Sequence, residues 1–115
     1  MKRNAFMSEN AGCTGPYSHA VDCGDYVFLS GQTPIDPATG EVVNGGIKEQ
    51  TRQSFRNLFS ILKEMGMSGD NVVKMNVYLT DMENFEEMNE VYEQQFEAPY
   101  LSEQLFRLEG SAEEL

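Results

Sequence analysis

The sequence predicts an α+β domain in which two helices cover one face of a sheet. Three observations carry this: a helical hydrophobic period from Ile47 to Met65, a β-branched run at Val72–Leu79, and a second helical stripe directly after it. The order is strand, strand, helix, strand, helix, then something short. No repeat, linker or low-complexity stretch interrupts it, so residues 1–115 read as a single domain.

Each element has its own signal. Ala20–Asp22 and Tyr26–Ser30 read as strands, with Cys23-Gly24-Asp25 as the tight turn of a hairpin between them. Asp36-Pro37-Ala38-Thr39-Gly40 is a second turn, because Pro37 fixes its own φ and Gly40 tolerates a positive one. Ile47, Thr51, Phe55, Leu58, Leu62 and Met65 recur at helical spacing, and Gly66 stands where a C-cap belongs. Val72–Leu79 alternates imperfectly, as a strand in the middle of a sheet covered by helices does. Asp81 is placed to cap the second helix, whose stripe is Phe85, Met88, Tyr92 and Phe96 and which Pro99 closes.

Composition narrows the function classes. A chain of 115 residues, 40% of them hydrophobic, builds one core with a modest stability margin, so self-association would help it. There is no apolar run of membrane-spanning length and no charged-then-apolar leader at Met1–Ala11, which predicts a soluble cytoplasmic protein with no membrane partner. Cys13 and Cys23 lack CxxC spacing, and the sole histidine, His19, does not complete a zinc set with them, so both are read as free thiols and no metal is expected. The net charge of −11 is concentrated: Asp81–Leu115 holds eleven acidic residues against Arg107 alone. Such a segment repels phosphate, and no nucleic-acid partner is expected. Lys48, Arg52, Arg56 and Lys63 recur about once per turn on the first helix, and are read as a solvated face.

Two clusters combine backbone freedom with hydrogen-bonding groups: Gly15-Pro16-Tyr17-Ser18-His19-Ala20 and Ser30-Gly31-Gln32. The Gly-Pro turn aims Tyr17, and Gly31 lets backbone N–H groups approach a ligand at the end of an apolar run. Together they read as pieces of one small-molecule site. Asn89 follows Met88 beside an apolar stripe, where an amide needs a partner.

With these elements in this order, the chain resembles the Rid family, the YjgF-like reactive-intermediate deaminases, over about Met1–Pro99. The resemblance rests on Gly15-Pro16-Tyr17-Ser18 with Ala20, Ser30-Gly31-Gln32, the Asp36–Gly40 turn, the first helix, Val73-Lys74 through Val77-Tyr78-Leu79, and Asp81-Met82-Glu83-Asn84-Phe85 through Met88-Asn89 and Tyr92 to Phe96. It implies a chorismate-mutase-like fold and a homotrimer with sites in the clefts between subunits. It also implies hydrolytic deamination, without a cofactor, of enamines and imines such as 2-aminoacrylate to 2-keto acids and ammonia. By the same resemblance Tyr17 lines the cleft, Ser30 and the Gly31 backbone contact substrate or water, and Asn89 supplies a polar side chain. His19 stands where the family commonly has glutamine and is read as structural.

The end of the chain departs from the family pattern. After Pro99-Tyr100 the family continues with proline, a small residue and an arginine that grips the substrate carboxylate; here the run is Leu101-Ser102-Glu103-Gln104, which sets Glu103 against that arginine. No residue is therefore assigned as catalytic. Arg107 lies four residues on, ~13 Å along a strand, and does not replace it. The resemblance further implies that a final strand carrying a glutamate is lacking. A single-base deletion turns a coding run for Pro-Tyr-Pro-Val-Arg-Thr into one for Pro-Tyr-Leu-Ser-Glu-Gln, so residues 101–115 are read as a frameshifted end. The expectation is a deaminase impaired by the charge reversal. The alternative is a catalytically inactive small-molecule-binding or regulatory trimer, and an endoribonuclease or translation-inhibitor role ranks behind both.

Overall fold

The computed structural model describes residues 2–9 and 15–108, so Cys13 lies outside it. Its elements are β1 (Asn4–Phe6), β2 (Ala20–Asp22), β3 (Val27–Leu29), β4 (Ile35–Asp36), β5 (Glu41–Val42), α1 (Ile47–Glu64), β6 (Lys74–Leu79), α2 (Phe85–Gln95) and β7 (Ser102–Arg107). β1, β2 and β3 form an antiparallel ladder in that order, β4 and β5 form a small hairpin, and β6 pairs with β7 in parallel. This is the predicted α+β class, with both helices against the sheet.

Local chemistry sets the boundaries. At the β2–β3 hairpin Gly24 takes φ +88°, and its N–H donates to Asp22 Oδ1 at 2.9 Å. α1 ends in a Schellman motif: Met67 N–H donates to Leu62 O at 2.8 Å and Gly66 N–H to Lys63 O at 3.0 Å, with Gly66 at φ +78°. Asp81 does cap, but its carboxylate accepts from Glu83 N–H at 2.9 Å in a 3₁₀ turn, Met82–Asn84, that leads into α2.

The core lies between the helices and the β6–β7 pair. Phe55 of α1, Met88 and Tyr92 of α2, and Leu79 of β6 are buried together, with Met75, Val77 and Leu105 packed against them. Phe55, Phe59, Tyr92 and Phe96 form an aromatic cluster with centroid separations from 5.3 to 5.9 Å.

Three features differ from the sequence reading. β6 is covered on one face only: Met75, Val77 and Leu79 point to the helices, while Lys74, Asn76 and Tyr78 alternate outward and are exposed. On that outer side Tyr78 stacks on Phe106, with centroids 4.9 Å apart and planes at 13°. α1 buries Gln53 and Asn57 where hydrophobic periodicity marked neither, because the two satisfy each other and the adjoining loop: Gln53 Nε2 donates to Asn57 Oδ1 at 2.9 Å, and Asn57 Nδ2 to Ile35 O at 2.9 Å. Finally, the divergent segment after Tyr100 forms a full strand, β7, in register with β6 from Lys74↔Ser102 to Leu79↔Arg107.

Candidate functional site

The first group of candidates gathers around the end of β3. Ser30 N–H donates to His19 O at 3.0 Å and Ser30 Oγ donates to Ser18 O at 2.6 Å, so the two sequence clusters are stitched together and the hydroxyl proton is committed. The lone pairs of Oγ remain available to accept a bond from a ligand or water. Tyr17 is more than a third exposed and meets the His19 ring edge-on at 6.5 Å. His19 is buried and accepts the Ser8 N–H on Nδ1 at 2.8 Å, which puts the neutral ring's proton on Nε2. This bond ties the ring to the segment that follows β1. Gly31 is exposed, and a Cβ there meets nothing within 4 Å, so no crowding inside the chain demands glycine. Next to it, the buried Nε2 of Gln32 donates to nothing among the described residues.

The second group lies elsewhere. A cavity of about 200 Å³ is lined by Asn89, Tyr92 and Glu93 of α2 and by Tyr100, Leu101 and Glu103 at the start of β7. It joins Asn89 to the position where the family arginine was expected. Tyr17, Ser30 and Gly31 do not line it, and neither does Arg107. Glu103, Leu105 and Arg107 alternate onto the helix side of β7, which carries Glu103 to the mouth of this cavity. A larger recess of about 280 Å³, between Gly69–Asp70 and Phe96–Leu101, contains none of the candidates.

Tyr92 is the residue the sequence reading assigned only to the core. It is 6% exposed, and its hydroxyl is buried without a hydrogen bond of good geometry among the described residues. Burial, reinforced by the charge and approach of the Glu103 carboxylate, pushes its ionisation up to about 12. Glu103 therefore comes close enough to oppose the phenolate, but not in a geometry that makes a full hydrogen bond. The signal that sequence reasoning lacked was the stagger of β7 against α2, which only the parallel register supplies.

Two of the cations on α1 are paired with carboxylates, and a third contacts a neutral amide. Lys48 Nζ meets Glu90 at 2.7 Å, which raises the lysine's pKa, Arg52 meets Glu49 at 2.6 Å, and Arg56 contacts Gln53 at 3.4 Å. Among the described residues no three His, Cys, Asp or Glu side chains are grouped to hold a metal ion, and no helix is long and apolar enough to cross a membrane. Cys23 is an exposed free thiol at the tip of the β2–β3 hairpin.

Comparison with known proteins gives concordant matches. The model of the family described as Endoribonuclease L-PSP matches residues 7–105, which carries the match past Pro99 into β7. A RutC family protein of Pyrococcus horikoshii is 48% identical over 96 residues, 84% of this chain and 76% of that protein. Human 2-iminobutanoate/2-iminopropanoate deaminase is 37% identical over 100 residues, 87% of this chain and 73% of the human one. The crystal structure of RidA from an Antarctic Psychrobacter superposes with a TM-score of 0.89 at 35% identity, covering 96% of this chain and 89% of that one.

Proposed function

The chain belongs to the Endoribonuclease L-PSP family, that of the Rid and YjgF proteins, and on that premise we propose that its cleft takes a small 2-imino or 2-enamino acid and releases a 2-keto acid and ammonia, at a rate held down by Glu103. The observation that carries this is the meeting of Asn89 with position 103 in one cavity, in a chain similar to a named imine deaminase.

The chemistry asks for few groups and no cofactor. The enamine first tautomerises to the imine. Water then adds to the imine carbon, and the C–N bond breaks as the carbonyl forms, with the nitrogen leaving as ammonia. In this reading Ser30 Oγ, its proton held by Ser18 O, accepts from the attacking water, the Gly31 backbone contacts the substrate, Tyr17 walls the cleft and Asn89 orients the nitrogen or the carbonyl. Glu103 repels the substrate carboxylate that an arginine would grip with two parallel hydrogen bonds.

The site is complete only when copies of the chain meet. Tyr17, Ser30 and Gly31 lie apart from the Asn89 cavity within one chain, and the outer face of β6 leaves Tyr78 53% exposed, while β3 leaves Phe28 65% exposed. A cytoplasmic homotrimer that closes on this face covers the aromatics and unites the two halves. Glu103 also favours a second reading, a trimer that binds a small molecule and catalyses nothing. An RNA-directed role has less support, since Lys48 and Arg52 are already held by carboxylates.

The test is keto-acid release from 2-aminoacrylate generated in place, compared between the natural chain and Glu103→Arg, with and without a family-like final strand. The expected result is slow release by the natural chain and faster release on restoring arginine. No acceleration over the spontaneous rate in any of these chains overturns the deaminase reading.

A further inference from the structure

Asn44-Gly45 is the only Asn-Gly pair in the chain, and it lies between two pinned points. Val43 N–H donates to Pro34 O at 2.9 Å, which closes the β4–β5 hairpin, and Gly46 O accepts Gln50 N–H at 3.1 Å, which opens α1. Between these bonds the backbone bends, and Asn44 and Gly45 are both exposed. Among the described residues the Gly45 N–H donates no hydrogen bond, and the Asn44 side-chain amide makes none. Both groups are free to react with each other.

The fold requires the glycine of this pair. Gly45 has φ +116°, and an added Cβ would stand 3.0 Å from Glu49 Cγ and 3.1 Å from Glu49 Cβ. Glu49 is itself held by Arg52 at 2.6 Å. With no side chain at Gly45, nothing shields the Gly45 nitrogen from the Asn44 side chain. The reaction open to this pair is closure of a five-membered ring. The Gly45 nitrogen gives its proton to water and its lone pair forms a bond to Asn44 Cγ, while the Cγ–Nδ2 bond breaks and Nδ2 takes up a proton and leaves as ammonia. Water then opens the resulting succinimide. Attack at Cγ leaves aspartate on an ordinary backbone, and attack at the main-chain carbonyl leaves isoaspartate, with one more methylene in the main chain. Water is the only co-reactant, and nothing is oxidised.

The surroundings accept the charge that either product adds. Position 44 lies two residues before Gly46, the N-cap of α1, which has no side chain to satisfy the N–H groups of the first turn. A carboxylate near that end is favoured by the helix dipole.

We propose that Asn44 is a site of spontaneous deamidation in the folded protein, converting to aspartate and isoaspartate through a succinimide with Gly45. None of these atoms takes part in the turnover proposed above, so the two readings stand or fall separately.

The experiment ages the full chain at neutral pH and body temperature, then cleaves it after glutamate. This releases Val42–Glu49, in which Asn44 is the one side-chain amide. Mass spectrometry is expected to show this peptide gaining the mass difference between an amide and an acid, and chromatography to resolve it into aspartyl and isoaspartyl forms. The folded chain should react within about ten-fold of the rate in urea, ten-fold being roughly the effect of one hydrogen bond at either reacting group. Asn44→Gln should leave the peptide unchanged. The proposal is overturned if the folded chain keeps its amide while the unfolded chain converts, or if the acid forms without isoaspartate.

Discussion

Gln53 and Asn57, one turn apart on α1, hold each other inside the protein: Gln53 Nε2 donates to Asn57 Oδ1 at 2.9 Å, and Asn57 Nδ2 in turn clamps Thr33 O at 3.2 Å and Ile35 O at 2.9 Å. The pair ties the helix to the loop that enters the β4–β5 hairpin. Asn57→Leu removes the donor and strands the Gln53 amide and the Ile35 carbonyl, at a cost of roughly 2–3 kcal/mol. Urea denaturation checks this, as a lower midpoint with an unchanged slope.

Tyr92 predicts an alkaline limb in stability. Its folded pKa, about 12, lies above the ordinary 10.0, so the fold favours the neutral phenol. The contribution is fully present below pH 10 and is lost as pH rises through 12. The loss amounts to at most about 2 kcal/mol, since the part due to the exposed Glu103 is screened by solvent. Tyr92→Phe should remove that part of the pH dependence and leave stability at neutral pH unchanged or slightly higher, because the hydroxyl that goes with it is buried and, among the described residues, makes no hydrogen bond of good geometry. Thermal melts across this range decide it.

Ser30 and Asn89 are predicted to matter to turnover through hydrogen bonds with substrate or water. In the Glu103→Arg background, Ser30→Ala and Asn89→Ala should each slow keto-acid release by roughly ten-fold or more, the scale of a hydrogen bond to a charged or charge-developing group. Rates within two-fold of the background, by contrast, would remove both residues from the site; the two-fold limit is roughly the noise of such a comparison.

The outer face of β6 and β7 is the predicted assembly surface. Tyr78→Glu replaces the ring stacked against Phe106 with a carboxylate and should shift a trimer toward the 13.0 kDa monomer in sedimentation velocity. The helix-side core is untouched by this change, so the circular dichroism spectrum should be retained.

The sequence made α1 legible almost to the residue, because a long amphipathic period and a terminal glycine are both local signals. The second helix was legible for the same reason, with Asp81 and Pro99 at its margins. β1 and the β4–β5 hairpin were not, since two- and three-residue strands carry no period and depend on partners far along the chain. Of the candidate residues, Tyr17, Ser30, Gly31 and Asn89 are named by motifs and by the family resemblance and only Asn89 lines the α2–β7 cavity, while Tyr92 is hidden by its membership of a hydrophobic stripe. Gln53 and Asn57 were hidden likewise, because buried amides that satisfy each other leave no mark in a hydrophobic pattern.

The parallel pairing of β6 with β7 has a kinetic consequence. Parallel neighbours are not joined by a tight turn, and here all of α2 lies between the two partners. α2 must therefore be laid across the chain before any rung of this ladder gains its bonds, which makes docking of β7 a late event. Substitutions along Ser102–Arg107 should then act mainly on how fast the native protein opens, and scarcely on how fast it forms. β7 thus sits where change delays folding least.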